Sequence, residues 1–515
     1  MRKVDTRRAR IWLLMAPLGL GILAGPVASA SQRRPAPNGL VLSVSDIHFD
    51  PFYDRALFRS LVESDVKRWE TIFKKSVVNR PSAYGSDTNF PLLDSALNEM
   101  RRTVPFPDMI IISGDFLAHD FVSTFAKAFG SSDSRALQMF VDKTIAFLTL
   151  MIEQRFPQAP VYPALGNNDS YCGDYAIDPA GLFLKATAQT WKRLFKNQAN
   201  ADSFMQTFPL SGSYSVVAPR NRKHRILVLN TVFFSSEYQN SCGSPQSDPG
   251  GDQIKWIESQ LKAAASAEEK VWLVYHIPPG VDVYASSKSP APVLYWKSTY
   301  NQQFLEMMKG YSGTVVASFA GHTHMDSFEL LCQAISRRAD GFVDVTPAIS
   351  PLFDNNPGFK LFAYDRRSAS VRDYSAYFLD LKSPGARWTM EYRFGASYRL
   401  PEVNAVSLQA LQNLMLTDYH GILGRFEKYY NVSNVSKPAI TDSNWPGYWC
   451  GIGNLTGPQF SQCHKIITEG RTACANSTEI PSQASQEELS LVPGRKRTKV
   501  PLTRFPRKCR LATAI

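Results

Sequence analysis

Five short clusters in this chain are built from residues that bind metal ions, and each stands where an apolar run ends. They are Asp46-Ile47-His48, Gly114-Asp115 with His119, Gly166-Asn167-Asn168-Asp169, His276 ahead of Pro278-Pro279, and Gly321-His322-Thr323-His324. Asp-x-His offers a hard oxygen and an imidazole nitrogen a short loop apart, a pair suited to zinc, iron or manganese. A carboxylate such as Asp115 can lend one oxygen to each of two cations, and Asn167 can add a carbonyl oxygen. Two imidazoles one residue apart, as at His322 and His324, point the same way on extended backbone. Singly, each motif has an ordinary explanation. A Gly-Asp pair caps a helix, an Asn fills a turn, and a lone histidine after Trp272-Leu273-Val274-Tyr275 sits satisfied in a core. Five of the eight histidines nevertheless fall in these clusters, always after an apolar run. That joint pattern points to a binuclear metal site.

The elements that must position these residues follow from the runs themselves. Apolar, β-branched segments recur at Val41 to Val44, Met109 to Ile112, Val161 to Leu165, Ile226 to Leu229, Val271 to Tyr275, Val315 to Phe319 and Phe342 to Val345. Several are continuous, the pattern of strands covered on both faces. Helical spacing marks Leu92 to Arg102, Ser134 to Glu153 and Gln253 to Ala264 between them. The alternation predicts an α/β layered fold with ligands gathered in loops beyond the strand ends. From about Ser407 helical patterns take over, at Ser407 to Thr417 and Tyr419 to Tyr430, and strands become scarce.

Composition sets the compartment more than the chemistry. At 515 residues, with 44% hydrophobic and 20% charged residues, the chain suits one large catalytic unit with an appendage. Arg2, Lys3, Arg7, Arg8 and Arg10 precede an apolar stretch from Ile11 to Ala24, and Ala28-Ser29-Ala30 supplies a cleavage pattern. This reads as a secretory signal peptide over residues 1–30, followed by a linker over 31–39. All seven cysteines lie beyond it, where an oxidising compartment lets disulfides persist, and an odd total leaves at least one unpaired within the chain. Asn431, Asn434, Asn454 and Asn476 head N-glycosylation acceptor sequences, so a glycoprotein is expected where the host glycosylates. The net charge of +12 resides in the leader and in a run from Arg495 to Arg510 that holds no acid, leaving the body near neutral. A solvated tail over residues 481–515, with no nucleic-acid partner, is the better reading, since aromatic interleaving is limited to Phe505.

The order Asp-x-His, Gly-Asp-x-x-x-His-Asp, Gly-Asn-x-Asp, His-x-Pro-Pro-Gly, Gly-His-x-His resembles that of the calcineurin-like metallophosphoesterases. Gly114 to Asp120, His276 to Gly280 and Pro347 to Gly358 resemble more narrowly the acid sphingomyelinase-like phosphodiesterase branch. The resemblance implies a four-layer α/β/β/α sandwich over residues 40–395 and a helical, disulfide-containing cap over 396–480. It implies two divalent metal ions, zinc being usual in the branch. Asp46, His48, Asp115 and His324 would hold one, and Asp115, Asn167, His276 and His322 the other. A bridging hydroxide would then attack phosphorus in line. The family usually has histidine after the metal-binding Asn. Here the residue is Asn168, which donates a hydrogen bond but cannot deliver a proton as an imidazolium does. His119 therefore becomes the expected general acid, against the alternative that it only orients the phosphate. Asp169 is expected to hydrogen-bond a ligand histidine from behind. Cys172 and Cys242 are expected to join and brace the pocket rim, with Cys450 and Cys463 as a second pair.

Sphingomyelinases of this branch commonly carry a lipid-extracting saposin domain ahead of the catalytic domain, and the stretch before Leu40 has no room for one. A monomeric hydrolase acting on soluble phosphodiesters or phosphoanhydrides, nucleotide-like or choline-phosphate-like, is thus the first expectation. The alternative enzyme is a sphingomyelin phosphodiesterase whose cap makes transient contact with a membrane surface. A secreted metal- and phosphate-binding protein without turnover is the alternative of another class, prompted by Asn168.

Overall fold

The computed structural model describes residues 38–239, 242, 247–332 and 339–476, with side chains as far as 469. The expected leader, the linker up to residue 37, the basic tail and the side chains of Cys474, Asn476 and Cys509 lie outside the described residues. Among those described, two six-stranded sheets form the centre. The first runs in the order Trp388–Arg393, Val371–Leu379, Gly358–Asp365, Asn38–Val44, Met109–Ile112, Val161–Pro163. The second runs Ser327–Cys332, Ala339–Val345, Val315–Ala320, Lys270–Val274, His224–Val228, Tyr214–Val217. Asn38 and Gly39, expected in the linker, already belong to the first strand.

Continuous apolar runs became the inner strands because both of their faces are covered; all four residues of Met109–Ile112 are buried. The sheets meet through Trp272 against Tyr364, 5.1 Å between ring centres, and Phe319 against Phe362 at 5.2 Å. Helices Phe90–Thr103 and Ser134–Arg155 accompany the first sheet, and Pro249–Ser266 and Ser298–Gly310 the second, which makes the four-layer α/β/β/α sandwich.

Asn38–Val44, Met109–Ile112 and Val161–Pro163 run parallel in one sheet, and Lys270–Val274 and Val315–Ala320 parallel in the other. The five ligand-type clusters are the segments leaving the C-terminal ends of these five strands. The edge where ligands gather in α/β folds is therefore supplied by both sheets at once.

Beyond Arg393 the described chain is helical: Phe394–Tyr398, Ala405–Thr417, a π-helical turn Tyr419–Leu423 leading into Gly424–Tyr430, Trp445–Gly453 and Gly457–Asn476. These helices share a buried cluster with the first sheet, and Tyr392 stacks on Tyr429 with 4.0 Å between ring centres. Cys450 pairs with Cys463, and Cys172 with Cys242, as the sequence led one to expect. Cys332 is unpaired among the described residues. Asn431 and Asn434, which head two of the acceptor sequences, are buried, and their amides donate to the carbonyls of Lys437 and Asp354.

Candidate metal centre

All seven sequence-predicted ligands converge on one buried point. Asp115 Oδ2 is its middle, 3.2 Å from His48 Nε2 and 3.1 Å from His276 Nε2. On one side His48 Nε2 faces His324 Nε2 at 3.1 Å, with Asp46 Oδ1 3.7 Å and 3.6 Å from the two nitrogens. On the other side Asn167 Oδ1 lies 3.0 Å from His276 Nε2 and 2.9 Å from His322 Nδ1. Asp46 Oδ1 is also 4.0 Å from His276 Nε2, farther than from either nitrogen of the first group.

The backbone is bent out of its way to make this happen. Asp46, His48, Asp115, His322 and His324 all have φ between 41° and 75°, the left-handed region that residues with a Cβ avoid. Five such residues at one point mark strain held by the surrounding fold, a pattern associated with functional sites. Gly166 allows a close approach, since a Cβ there would run into the Asp115 carboxylate.

Whether a metal fits is answered by the donor set. His48 Nδ1 donates to Leu117 O at 3.0 Å and His276 Nδ1 to Ser113 O at 2.6 Å, carbonyls that can only accept. In the neutral rings the inward Nε2 atoms therefore present lone pairs, which meet carboxylate, amide oxygen and other imidazole lone pairs. No lysine or arginine pairs with Asp46 or Asp115 among the described residues. A buried set of acceptors needs positive charge at its centre. The aspartates draw positive charge to this point. Burial disfavours charge on His48 and His276, yet Asp115 and Asp46 together outweigh it and push them up to about 10 and about 9. Burial, reinforced by neighbouring imidazoles, pushes His322 and His324 down to about 3 and keeps them neutral. Burial alone would raise Asp115, but His276 and His48 hold it well below the usual carboxylate range. A metal bound here would displace the protons of His48 and His276, leaving carboxylates ionised and all four imidazoles neutral, the state in which such residues ligate metals.

Asn168 is drawn into this scaffold. Its backbone N–H donates to Asp115 Oδ1 at 2.8 Å and its amide to Asp115 Oδ2 at 3.1 Å, which fixes the central carboxylate. Asp169 departs from expectation. It touches no ligand histidine; Oδ1 accepts from the N–H groups of Phe116 and Leu117, and Oδ2 from that of Gly166. It clamps two ligand-bearing loops together through their backbones, because its position in the turn faces the neighbouring strand end. Burial, with the charge of Asp115 second, pushes it up to about 7.

His119 stacks on His48 with 4.0 Å between ring centres and is partly exposed, as is His322, whereas the other six proposed ligands are buried. Asp87, which sequence reasoning missed, accepts from His119 N at 2.8 Å and lies 3.1 Å from its Nδ1. Ser350 Oγ in turn donates to Asp87 at 2.9 Å. Asp174, also missed, accepts from Asn167 Nδ2 at 2.7 Å and so turns Asn167 Oδ1 toward the histidines. Neither carboxylate follows an apolar run, the only signal the sequence offered. Phe353, half exposed, lies roughly perpendicular to the rings of His324 and His119. The Cys172–Cys242 bridge ties the Asn167 to Asp174 loop to the segment beyond Gln239.

The sequence profile of the calcineurin-like phosphoesterases matches residues 40–326, more than half of the chain, and that of the acid sphingomyelin phosphodiesterase C-terminal region matches 342–466. Acid sphingomyelinase-like phosphodiesterase 3b of Mus musculus is 26% identical over 87% of this chain and 94% of its own. Cyclic GMP-AMP phosphodiesterase SMPDL3A of Homo sapiens is 28% identical over the same shares. Sphingomyelinase phosphodiesterase D of Dictyostelium discoideum is 28% identical over 83% of this chain and 95% of its own. With both profiles laid end to end over strands that deliver ligands to one point, the chain belongs to the calcineurin-like phosphoesterase family, in its acid sphingomyelinase-like phosphodiesterase branch, and is a metal-dependent phosphoric ester hydrolase.

Proposed function

We propose that the protein is a secreted phosphodiesterase that holds two zinc ions and hydrolyses phosphodiester or phosphoanhydride bonds of soluble substrates, nucleotide-like or choline-phosphate-like. The observation that carries this reading is the double convergence on Asp115 Oδ2, with one acceptor group on each side of it. Asp46, His48, Asp115 and His324 would hold one ion, and Asp115, Asn167, His276 and His322 the other. Imidazole-rich donors with carboxylates suit zinc. When bound, such a pair polarises phosphoryl oxygens and lowers the pKa of a water held between the ions.

The chain's own residues supply the rest. Asn168 holds Asp115 in place, and Asp174 sets the face that Asn167 presents. His119, its Nδ1 held by Asp87, has Nε2 left to give a proton to the departing oxygen. A cavity of about 700 Å3 extends from His322 and His324 past Tyr295 to Tyr430 and Tyr448, room for a nucleotide-sized group. A soluble substrate is supported by the name of the human relative, a cyclic GMP-AMP phosphodiesterase. The Dictyostelium relative's name, a sphingomyelinase phosphodiesterase, supports the membrane-lipid alternative. Secretion is supported by the leader-like sequence and by the two disulfides.

Elemental analysis of the purified protein, followed by parallel assays on bis-p-nitrophenyl phosphate, a cyclic dinucleotide and sphingomyelin micelles, tests the proposal. About two zinc equivalents with chelator-sensitive turnover of the soluble substrates is the expected result. Protein that carries no metal, or that carries metal and turns over none of the three, overturns it; faster turnover of the micelles moves the reading to membrane lipid.

A further inference from the structure

The metal centre opens onto a second cavity that the proposed reaction has not yet used. It measures about 570 Å3 and lies against the helix Phe121–Phe129 and the start of Ser134–Arg155. Of its lining residues, His119 and Asp174 also line the larger cavity, and none is a proposed metal ligand. The larger cavity holds the ligand side, with Asp115, Asn167, His322 and His324 on its wall. A phosphoryl group seated at the ligands therefore faces two spaces, and the smaller is reached past the residue placed to protonate the departing oxygen.

Resting on the proposed phosphodiesterase reading, we infer that the smaller cavity is the leaving-group subsite and that it selects an uncharged alcohol over a phosphate. In-line displacement puts the leaving oxygen opposite the attacking water, and its proton donor must lie on that same side. The water oxygen forms the new P–O bond and the old P–O bond breaks, its electron pair staying on the alcohol oxygen. His119 Nε2 protonates that oxygen, and the proton released by the attacking water restores the imidazolium. The arm retained on phosphorus stays in the larger cavity.

The chemistry of the wall sets the class of alcohol. Ala118, Val122, Ala126 and Leu137 give it an apolar face, and Ser123, Ser132 and Ser134 a hydroxyl rim. Its ionisable side chains besides His119 are Asp120 and Asp174, and no lysine or arginine lines it among the described residues. A leaving phosphate, as in a phosphoanhydride, would enter a space with two carboxylates and, apart from the proton donor His119, no cationic side chain among the described residues to meet it. A nucleoside or an acyl-bearing alcohol both offer an uncharged body with an apolar face, and substrate series separate them.

The test uses thymidine 5′-phosphate esterified to methanol, to a phenol, to a second nucleoside or to a short-chain acylglycerol, together with thymidine 5′-diphosphate. The expected order of kcat/KM places the large uncharged esters above the methyl ester and the diphosphate last. The better of the nucleoside and acylglycerol esters identifies the natural leaving alcohol. Val122→Trp fills the cavity and should lower the ratio of large-ester to methyl-ester kcat/KM by roughly tenfold or more. Ala126→Lys supplies the missing cation and should raise diphosphate cleavage relative to the phenyl ester; turnover of the methyl ester in each variant reports that it is folded. A diphosphate preferred by the wild type, or variants that shift no ratio, overturn the inference. Loss of the phosphodiesterase reading itself would look different, as absence of chelator-sensitive turnover on every ester.

Discussion

His48 Nε2 and His324 Nε2 lie 3.1 Å apart, in buried rings, with Asp46 and Asp115 beside them. His324 Nδ1 has no hydrogen-bond partner among the described residues, so nothing on the far side of that ring offsets the encounter. Two imidazole nitrogens brought together this way can share one proton, and a cation between them would serve both. The folded protein is therefore expected to bind metal far better than its unfolded chain, and metal to stabilise it. Chelator-stripped protein should melt at a lower temperature, and zinc at a hundredfold excess over its Kd should restore roughly 3 kcal/mol. Superimposable melting curves with and without metal would contradict the convergence as a metal site.

Asp87 ties His119 to the loop after it through two contacts, one to the backbone N–H and one to Nδ1. Burial would raise the Asp87 carboxyl, but the hydrogen bond from His119 and the charge of His48 outweigh it and hold it down at about 2, so the carboxylate is ionised throughout the working range. His119→Ala should lower kcat by about two to four orders of magnitude while both metals stay bound. Asp87→Asn keeps the ring but not the charge that orients it, and should cost about tenfold in kcat with little change in KM. Metal content is measured alongside, because a simple loss of structure would release the ions. Near-normal kcat in His119→Ala would leave the departing oxygen without its donor and end the assignment.

The seven residues that meet around Asp115 were legible because each follows a continuous apolar run, and such runs are what a strand covered on both faces looks like. Strands Gly358–Asp365 and Val371–Leu379 were not, since Lys360 and Asp373 interrupt their apolar pattern. The same blindness hid the groups behind the ligands. Asp87 and Asp174 come from irregular segments with no periodicity to flag them, and only folding brings Asp174 to the amide of Asn167. Asp169 was assigned the right neighbourhood and the wrong partner. Sequence placed it one turn from the ligands, but which way its carboxylate faces depends on where the Asp115 strand ends.

Lys360 is fully buried between the sheets, with its ammonium 2.8 Å from Asp326 and 2.9 Å from Asp344. Two carboxylates share this one cation. Burial, partly offset by Lys360, pushes Asp344 up to about 6. A carboxyl whose folded pKa is raised favours the folded state while it is protonated. Its contribution is complete below its unfolded value near 3.9 and is lost as pH rises through about 6. Stability should thus fall across that window, and Asp344→Asn should flatten the slope. Lys360→Met strands both acids and should cost on the order of 3 to 5 kcal/mol at neutral pH. Denaturant melts at a series of pH values measure both effects; a slope unchanged in Asp344→Asn would place the titration elsewhere.

Cys172 sits between Asn167 and Asp174 in sequence, and its bridge to Cys242 spans a separation of 70 residues. Closing a loop of that length constrains the unfolded chain by up to about 4 kcal/mol in the entropic account. The more telling consequence is local. Ser170 already accepts from the N–H groups of Cys172 and Gly173, so the turn keeps its shape when the bridge is cut, while its anchor to the segment beyond Gln239 is lost. Asn167 and Asp174 ride on that turn, and looseness there reaches the metal before it reaches the sheets. Cys242→Ser should therefore weaken the ion held by Asn167, His276 and His322 more than the one held by His48 and His324. Competition with a chelator should show one ion lost readily and one retained, with turnover following the weaker ion. Equal weakening of both, or of neither, would mean that the bridge steadies the fold without steadying the site.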